Sequence, residues 1–168
     1  TDLLATEMDR VAAYVAGGGN LIALLNPIDS PATAADMSRY GVRVANDVVV
    51  EPDPMRQIPG GGPTWVVLDP SSYGPHAITE KLNKGTAVLP LVRSVAKGPD
   101  IAGLTVTELA HSTDSGWGET DLSGDPEKPS EPNEGELQGK VPVAVAVEVT
   151  DPAALPVALT SAVPPVVP

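Results

Sequence analysis

At 168 residues the chain is long enough for one domain with a sizeable core. It has no Phe, two Trp and three Tyr, so Ala, Val, Leu and Ile must fill that core, and its lack of cysteine removes disulfides, thiolate metal sites and a cysteine nucleophile. A net charge of −12 with ten scattered basic residues excludes a duplex-binding surface and disfavours an anionic membrane surface.

Glu7 to Pro27 reads as helix, glycine turn and strand. Met8, Val11, Ala12 and Val15 fall at helical spacing and make one apolar stripe. Gly17, Gly18 and Gly19 stop the helix, since glycine accepts the positive φ a helix end needs. Leu21–Leu25 is then a short continuous apolar run, the pattern of a strand covered on both faces in a parallel sheet. The chain starts inside a helix without the strand expected before it, so it reads as a piece of a longer protein whose targeting segments are uninformative here. No apolar run approaches the roughly 20 residues needed to span a bilayer.

Residues 31–40 read as a short helix with Pro31 in its first turn and Gly41 at its end. Asp47–Glu51 is a strand, the Pro- and Gly-rich residues 52–63 a loop, and Thr64–Leu68 another strand. A turn cluster follows over Asp69–Pro75, then a short helix over His76–Asn83 and a strand over Thr86–Leu91. Leu104–Leu109 and Val143–Val149 are further strands. From Glu119 to Glu136 seven acidic residues face one lysine, half the net charge of the chain, and residues 119–140 read as a mobile acidic loop with too little apolar surface to offset its ordering entropy. Residues 151–168, rich in proline, read as an extended tail after a single α/β domain over 1–150. Helices alternating with short apolar strands predict an α/β sheet with flanking helices.

Most catalytic motifs are missing. Gly139-Lys140 is the one Gly-Lys pair that might finish a P-loop, but Glu134 replaces the first glycine and Val141 the Ser or Thr. Gly60–Gly62 leads into a strand, the wrong order for dinucleotide binding. No serine has glycine at both −2 and +2, so no nucleophile elbow is formed. Ser94-Val95-Ala96-Lys97 matches S-x-x-K, in which lysine activates a serine, but a solvated strand end is the simpler reading. His76 and His111 lack zinc spacing, and His76 reads as a cap at a helix start. Asp121, Asp125 and Glu127 lack the order and glycine of a calcium loop. No metal or cofactor is expected.

Six steps in the chain resemble one family in order: the Glu7–Pro27 block; Gly41-Val42 followed by Asn46–Val50; Tyr73–Thr79, with Ala77 where proline is usual; Leu89–Ser94, with Val92 in place of alanine; Leu109–Glu119; and Val141–Glu148. Together, over roughly residues 5–149, the chain resembles the GldG-type, gliding-motility-like auxiliary component of ABC transport systems. The resemblance implies a flavodoxin-like, class I amidotransferase-like sheet, truncated at one or both ends, in a degenerate and non-catalytic form. It implies an extracytoplasmic, periplasmic or cell-envelope domain of a membrane-anchored bacterial protein, working beside a permease and an ATPase. Membrane contact would come only through segments outside this chain, and an envelope polysaccharide or other small ligand is a candidate partner. Two other readings stay open: a serine-based hydrolase or amidotransferase relative, and a soluble sugar- or nucleotide-binding α/β domain.

Candidate binding residues come from position, because doubly wound sheets bind ligands beyond the carboxyl ends of their strands. Asn26 and Asp29 follow one expected strand; Asp69, Ser71, Ser72 and Tyr73 follow another, with His76 close by in sequence. They are expected to line one crevice, against the alternative that they are ordinary turn formers. Trp117, between Gly116 and Gly118, either plugs the edge of the core or anchors a partner.

Overall fold

A computed structural model describes residues 2–82, 84–123 and 131–155. Helix α1, Ala5–Ala16, turns Met8 and Ala12 inward, as the apolar stripe predicts. Its start is fixed by Glu7, whose Oε2 accepts from the Leu4 amide at 2.8 Å. Helix α2, Pro31–Asp36, continues into a 3₁₀ turn over Met37–Tyr40, which ends where Gly41 takes a left-handed φ of 71°. Ser30, ahead of α2, is itself left-handed. Asp2 reaches across 30 residues to the first turn instead, accepting from the amides of Ala32 at 2.7 Å and Thr33 at 2.8 Å.

The strands in chain order are β1 (Val42–Val44), β2 (Val48–Val50), β3 (Trp65–Leu68), β4 (Ala87–Pro90), β5 (Val95–Lys97), β6 (Leu104–His111), β7 (Trp117–Glu119) and β8 (Pro142–Val149). They pair as β1–β5, β2–β7, β3–β4 and β6–β8, each antiparallel. A backbone bond from Val49 N to Val92 O at 2.7 Å ties β2 to the segment between β4 and β5, and Leu91 N to Thr64 O at 2.9 Å extends the β3–β4 pair. The expected strands at 47–51, 64–68, 86–91, 104–109 and 143–149 are therefore present; β1, β5 and β7 are additional.

The mixed α/β composition agrees with expectation, but the parallel order of a flavodoxin-like sheet does not appear among the described residues. Parallel neighbours need crossovers of a dozen or more residues, usually helical. Only α1 and α2 are α-helical among the described residues, and most connections are short and rich in Pro and Gly.

Two expected elements are not formed. Leu21–Leu25 is neither helix, strand nor turn. Ile22 and Leu24 are 87% and 91% exposed, and no backbone group of residues 20–25 is hydrogen-bonded among the described residues. An aliphatic run becomes a buried strand only beside a neighbouring strand, and no described strand pairs with it. The helix expected over His76–Asn83 is reduced to turns, the Thr79 and Glu80 amides both donating to the His76 carbonyl, and Asn83 lies outside the described residues. Ile78 and Leu82 remain exposed, so no packing offsets the cost of nucleating a helix.

The core has the small-side-chain character that the composition demands. One cluster joins Val49, Val66, Leu68, Ala110, Val141 and Val143, with Tyr73 packed against it. A second joins Tyr40, Val42 and Leu155, with Val15 and Ala16 of α1 against it. The acidic segment is tied down at both described ends. Gly118 N bonds Leu137 O and Gly139 N bonds Gly116 O, each at 2.8 Å. Residues 124–130 of the acidic segment and 156–168 of the tail lie outside the described residues.

Candidate functional site

The most concentrated chemistry in the described chain is a buried polar seam beside β2. Asp47, at the entrance to β2, is 2% exposed. Its carboxylate accepts from the Ser94 amide at 2.8 Å and the Ser94 hydroxyl at 2.6 Å. Arg93, 3% exposed, donates Nε to the Ala45 carbonyl at 2.7 Å and Nη1 to the Asn26 carbonyl at 2.8 Å, and Nη2 also reaches Ala45. Burial lowers the Arg93 pKa, while the charge of Asp47 acts in the opposite direction. Arginine is the residue suited to this place, because its fork of donors serves several carbonyls and its charge is retained in proteins.

Glu51 closes the far end of β2. It is 1% exposed and accepts from the Thr113 amide at 2.7 Å, the Thr113 hydroxyl at 2.8 Å and the Asp53 amide at 3.2 Å. A buried carboxylate is tolerated when its lone pairs are filled in this way. Ser112 Oγ accepts from Val141 N at 2.9 Å. Gly116 and Gly118 flank Trp117 because neither position has room for a Cβ: one would overlap Ser112 and the other the Asp47 carboxylate. Trp117 itself is 5% exposed, pairs with Val50, and points its indole Nε1 at Glu119 Oε2, 3.3 Å away. It plugs the interior.

The positional candidates fall into separate groups. Asn26 and Asp29 are exposed and joined by a 3.4 Å hydrogen bond. Asp69 caps its own turn, accepting from the Ser71 amide at 2.8 Å and hydroxyl at 2.6 Å, and pairs with Arg56 at 2.8 Å. The Ser71 hydroxyl, with smaller help from Arg56, lowers the Asp69 pKa against a counteracting burial effect. Ser72 is buried in that turn, and its Oγ accepts from the Asp69 amide at 3.2 Å. Tyr73 bridges to Ala110, and its pKa is raised by burial and then by the charge of Asp69. His76 Nδ1 accepts from the Ile78 amide at 3.1 Å, so it caps its turn, and Nε2 lies 3.9 Å from Glu148. No hydrogen bond or ion pair among the described residues joins Asn26 and Asp29 to the group at 69–76.

Ser94 is a correction to the solvated strand end. It is 2% exposed because Asp47 draws both its polar groups inward. Lys97 meanwhile pairs with Asp100 at 2.7 Å. Each half of the S-x-x-K match is engaged elsewhere. His111 Nε2 stands 3.5 Å from Glu108, so the two histidines serve different carboxylates. No group of three metal-ligating side chains occurs among the described residues. A cavity of about 190 Å³ opens beside Lys97, Pro99, Ile101 and Leu104, and none of the candidate residues lines it.

Sequence reasoning passed over Asp47, Glu51 and Arg93 as site residues. A usable sign was present: all three are charged and adjoin aliphatic residues, in Asp47-Val48-Val49-Val50-Glu51 and Leu91-Val92-Arg93-Ser94. Charges in such surroundings are buried with partners.

Residues 1–163 match the family described as "ABC-type uncharacterized transport system". No curated protein matches the chain. Among solved structures, the chain is similar to "mmIFT52 N-terminal domain", with a TM-score of 0.52 and 16% identity over 67% of this chain and 48% of that one. The chain thus spans about half the length of that structure, and identity at this level is a likeness of fold alone.

Proposed function

We propose a function from one premise: the chain belongs to the ABC-type auxiliary transport family. The reading is a non-catalytic binding or scaffold domain of a GldG-like, gliding-motility-like auxiliary component. It works outside the cytoplasm, beside the permease and ATPase of a transport complex, and is membrane-anchored by segments outside these residues. Its architecture is read as a divergent relative of the flavodoxin-like, amidotransferase-like sheet.

The observation that supports this reading is the use made of the motif residues. Asn26, Asp47, Arg93, Ser94 and Thr113 come from four of the six motif steps, and they hydrogen-bond one another, the backbone or the buried Glu51 carboxylate inside the fold. Ser94 is 2% exposed, its hydroxyl is turned inward to the buried Asp47 carboxylate and its nearby lysine is paired elsewhere, so it presents no accessible nucleophile. The motifs therefore maintain the fold, and partner contact falls to exposed groups such as Asn26, Asp29 and the edge of the turn at His76.

The test is co-purification of the chain with the permease and ATPase of the proposed transport complex, comparing wild type with His76→Ala. The expected result is retention by the complex, weakened by His76→Ala while the melting temperature moves by no more than the roughly 2–4 °C that about 1 kcal/mol produces. Turnover of an ester or amide lost on Ser94→Ala, or labelling of Ser94 by a serine-reactive phosphonate, would overturn the non-catalytic reading.

A further inference from the structure

We infer that the open edge of β6 at Leu104–Glu108 is a strand-addition site for an extended segment of another protein, one in which aliphatic and basic side chains alternate. Thr150 N donates to Gly103 O at 2.9 Å, so in this antiparallel pair the bonds towards β8 recur at Thr105 and Thr107. Leu104, Val106 and Glu108 therefore turn their backbone groups to the opposite edge. There the Leu104 amide donates to the Ile101 carbonyl at 3.1 Å, and Tyr73 and Gly74 cover Ala110 and Leu109. Between these two contacts, the amide and carbonyl of Val106 and the amide of Glu108 have no hydrogen-bond partner among the described residues.

The cavity of about 190 Å³ lies on the same edge. It is lined by Leu104, Thr105 and Val106 in succession, with Lys97, Pro99 and Ile101 ahead of them. Successive residues of a strand point to opposite faces, so three in a row share one cavity only along the edge of the strand. Natural edges are guarded by Lys, Pro or a bulge. Leu104–Glu108 has neither residue, and its register becomes irregular only beyond Glu108. The cavity is below the roughly 300–1,000 Å³ of a small-molecule pocket. It suits one aliphatic side chain of an added strand whose backbone bonds Val106 and Glu108. Charge selects the occupant. Asp100 and Glu108 stand beside this edge against the single Lys97, on a chain of net charge −12. A second copy or an acidic segment is repelled, and a basic one is attracted. This edge is distinct from the exposed turns at Asn26, Asp29 and His76, and its assignment does not rest on the transport reading.

Amide exchange followed by NMR is the direct test, with the synthetic peptide acetyl-Lys-Val-Lys-Val-Lys-amide. In the free chain the Thr105 and Thr107 amides should exchange slowly, and those of Val106 and Glu108 fast. Millimolar peptide should slow Val106 and Glu108 at least about tenfold. The same peptide methylated on every amide nitrogen cannot donate to the edge and should protect neither. Acetyl-Glu-Val-Glu-Val-Glu-amide should bind at least about tenfold more weakly than the basic peptide. Asp100→Lys, at a side chain 86% exposed, keeps the fold and should weaken the basic peptide about threefold. Absence of protection by the basic peptide overturns the proposal. So does equal binding of the methylated or the acidic peptide, or an Asp100→Lys variant that binds the basic peptide as wild type does. Slow exchange of Val106 and Glu108 in a free monomer assigns the edge to the chain itself, and slow exchange only in a sedimenting dimer assigns it to a second copy. Either result also overturns the proposal.

Discussion

Asp47, Arg93 and Ser94 are polar and shut away from water, whereas Ile22 and Leu24 are aliphatic and face it. Both regions belong to the motif pattern of the chain, and in both the usual relation of polarity to burial is reversed. The difference lies in partners. Asp47 finds two donors on Ser94, and Arg93 finds the carbonyls of Asn26 and Ala45, so their desolvation is compensated. Residues 20–25 find no strand among the described residues, so an apolar run alone cannot bury itself. Hydropathy states what a segment needs; the neighbours decide whether the need is met.

The comparison breaks most visibly at Asp47. Asp47→Ala leaves two Ser94 donors without their acceptor and removes the negative charge that favours the buried Arg93 cation. Each buried donor left unsatisfied costs about 1–3 kcal/mol, so the two together cost about 3–5 kcal/mol. For a chain of this size that is a fall of roughly 6–20 °C in melting temperature. Asp47→Asn, which keeps an acceptor for the Ser94 amide, should lose less. If Asp47→Ala unfolds in urea at the wild-type midpoint, the seam is not what holds β2.

Gly118→Ala tests the same carboxylate from the other side. The added methyl overlaps the Asp47 carboxylate, and a forced shift in a packed interior costs about 1–3 kcal/mol. An unchanged midpoint would mean that β7 and the Asp47 loop move apart freely. Pairing Gly118→Ala with Asp47→Ala sharpens the point, because the two penalties should then be less than additive.

Acid should loosen the described ends of the acidic segment by a smaller amount. Burial opposes ionisation of Glu136, but the Thr120 and Asn133 amides, the Thr120 hydroxyl and the neighbouring Glu119 carboxyl hold its pKa at about 2, against an ordinary 4.5. A depressed carboxylate stabilises the fold above its unfolded pKa, and that contribution disappears as pH falls through the folded value. Stability from Glu136 is thus complete above about 4.5 and is lost towards 2. Asp2, lowered first by the Thr33 hydroxyl and then by the Thr33, Ala32 and Leu3 amides against an opposing burial effect, loses its contribution in the same acid direction at the start of α2. Glu136→Gln should flatten this part of the pH–stability curve; an unchanged curve would remove Glu136 from the account.

Much of the strand content was legible from hydropathy, because β2, β3, β4 and β8 carry aliphatic runs bounded by Pro, Gly or Asp, and β6 opens on the alternation Leu104-Thr105-Val106-Thr107 after Gly103. Helix α1 was legible from the spacing of Met8 and Ala12. Strand pairing was not, since direction depends on which distant segment supplies the partner, and Val42–Val44 is too short to announce itself. At the candidate site, the capping roles of Asp69 and His76 follow from turn chemistry readable in Asp-Pro-Ser-Ser and Gly-Pro-His. The burial of Ser94 was not readable, because its acceptor lies 47 residues away.

The smallest expected effect is the most discriminating for the exposed region. Leu24→Ser removes a large apolar side chain, and at a core position that class of change costs about 2–5 kcal/mol through lost transfer energy and a cavity. At 91% exposure Leu24 has little burial to lose. Urea unfolding of dilute, monomeric protein should therefore shift by no more than about 0.5 kcal/mol. A loss above about 2 kcal/mol in the dilute monomer would show Leu24 already buried, and the contrast with Asp47 would fail.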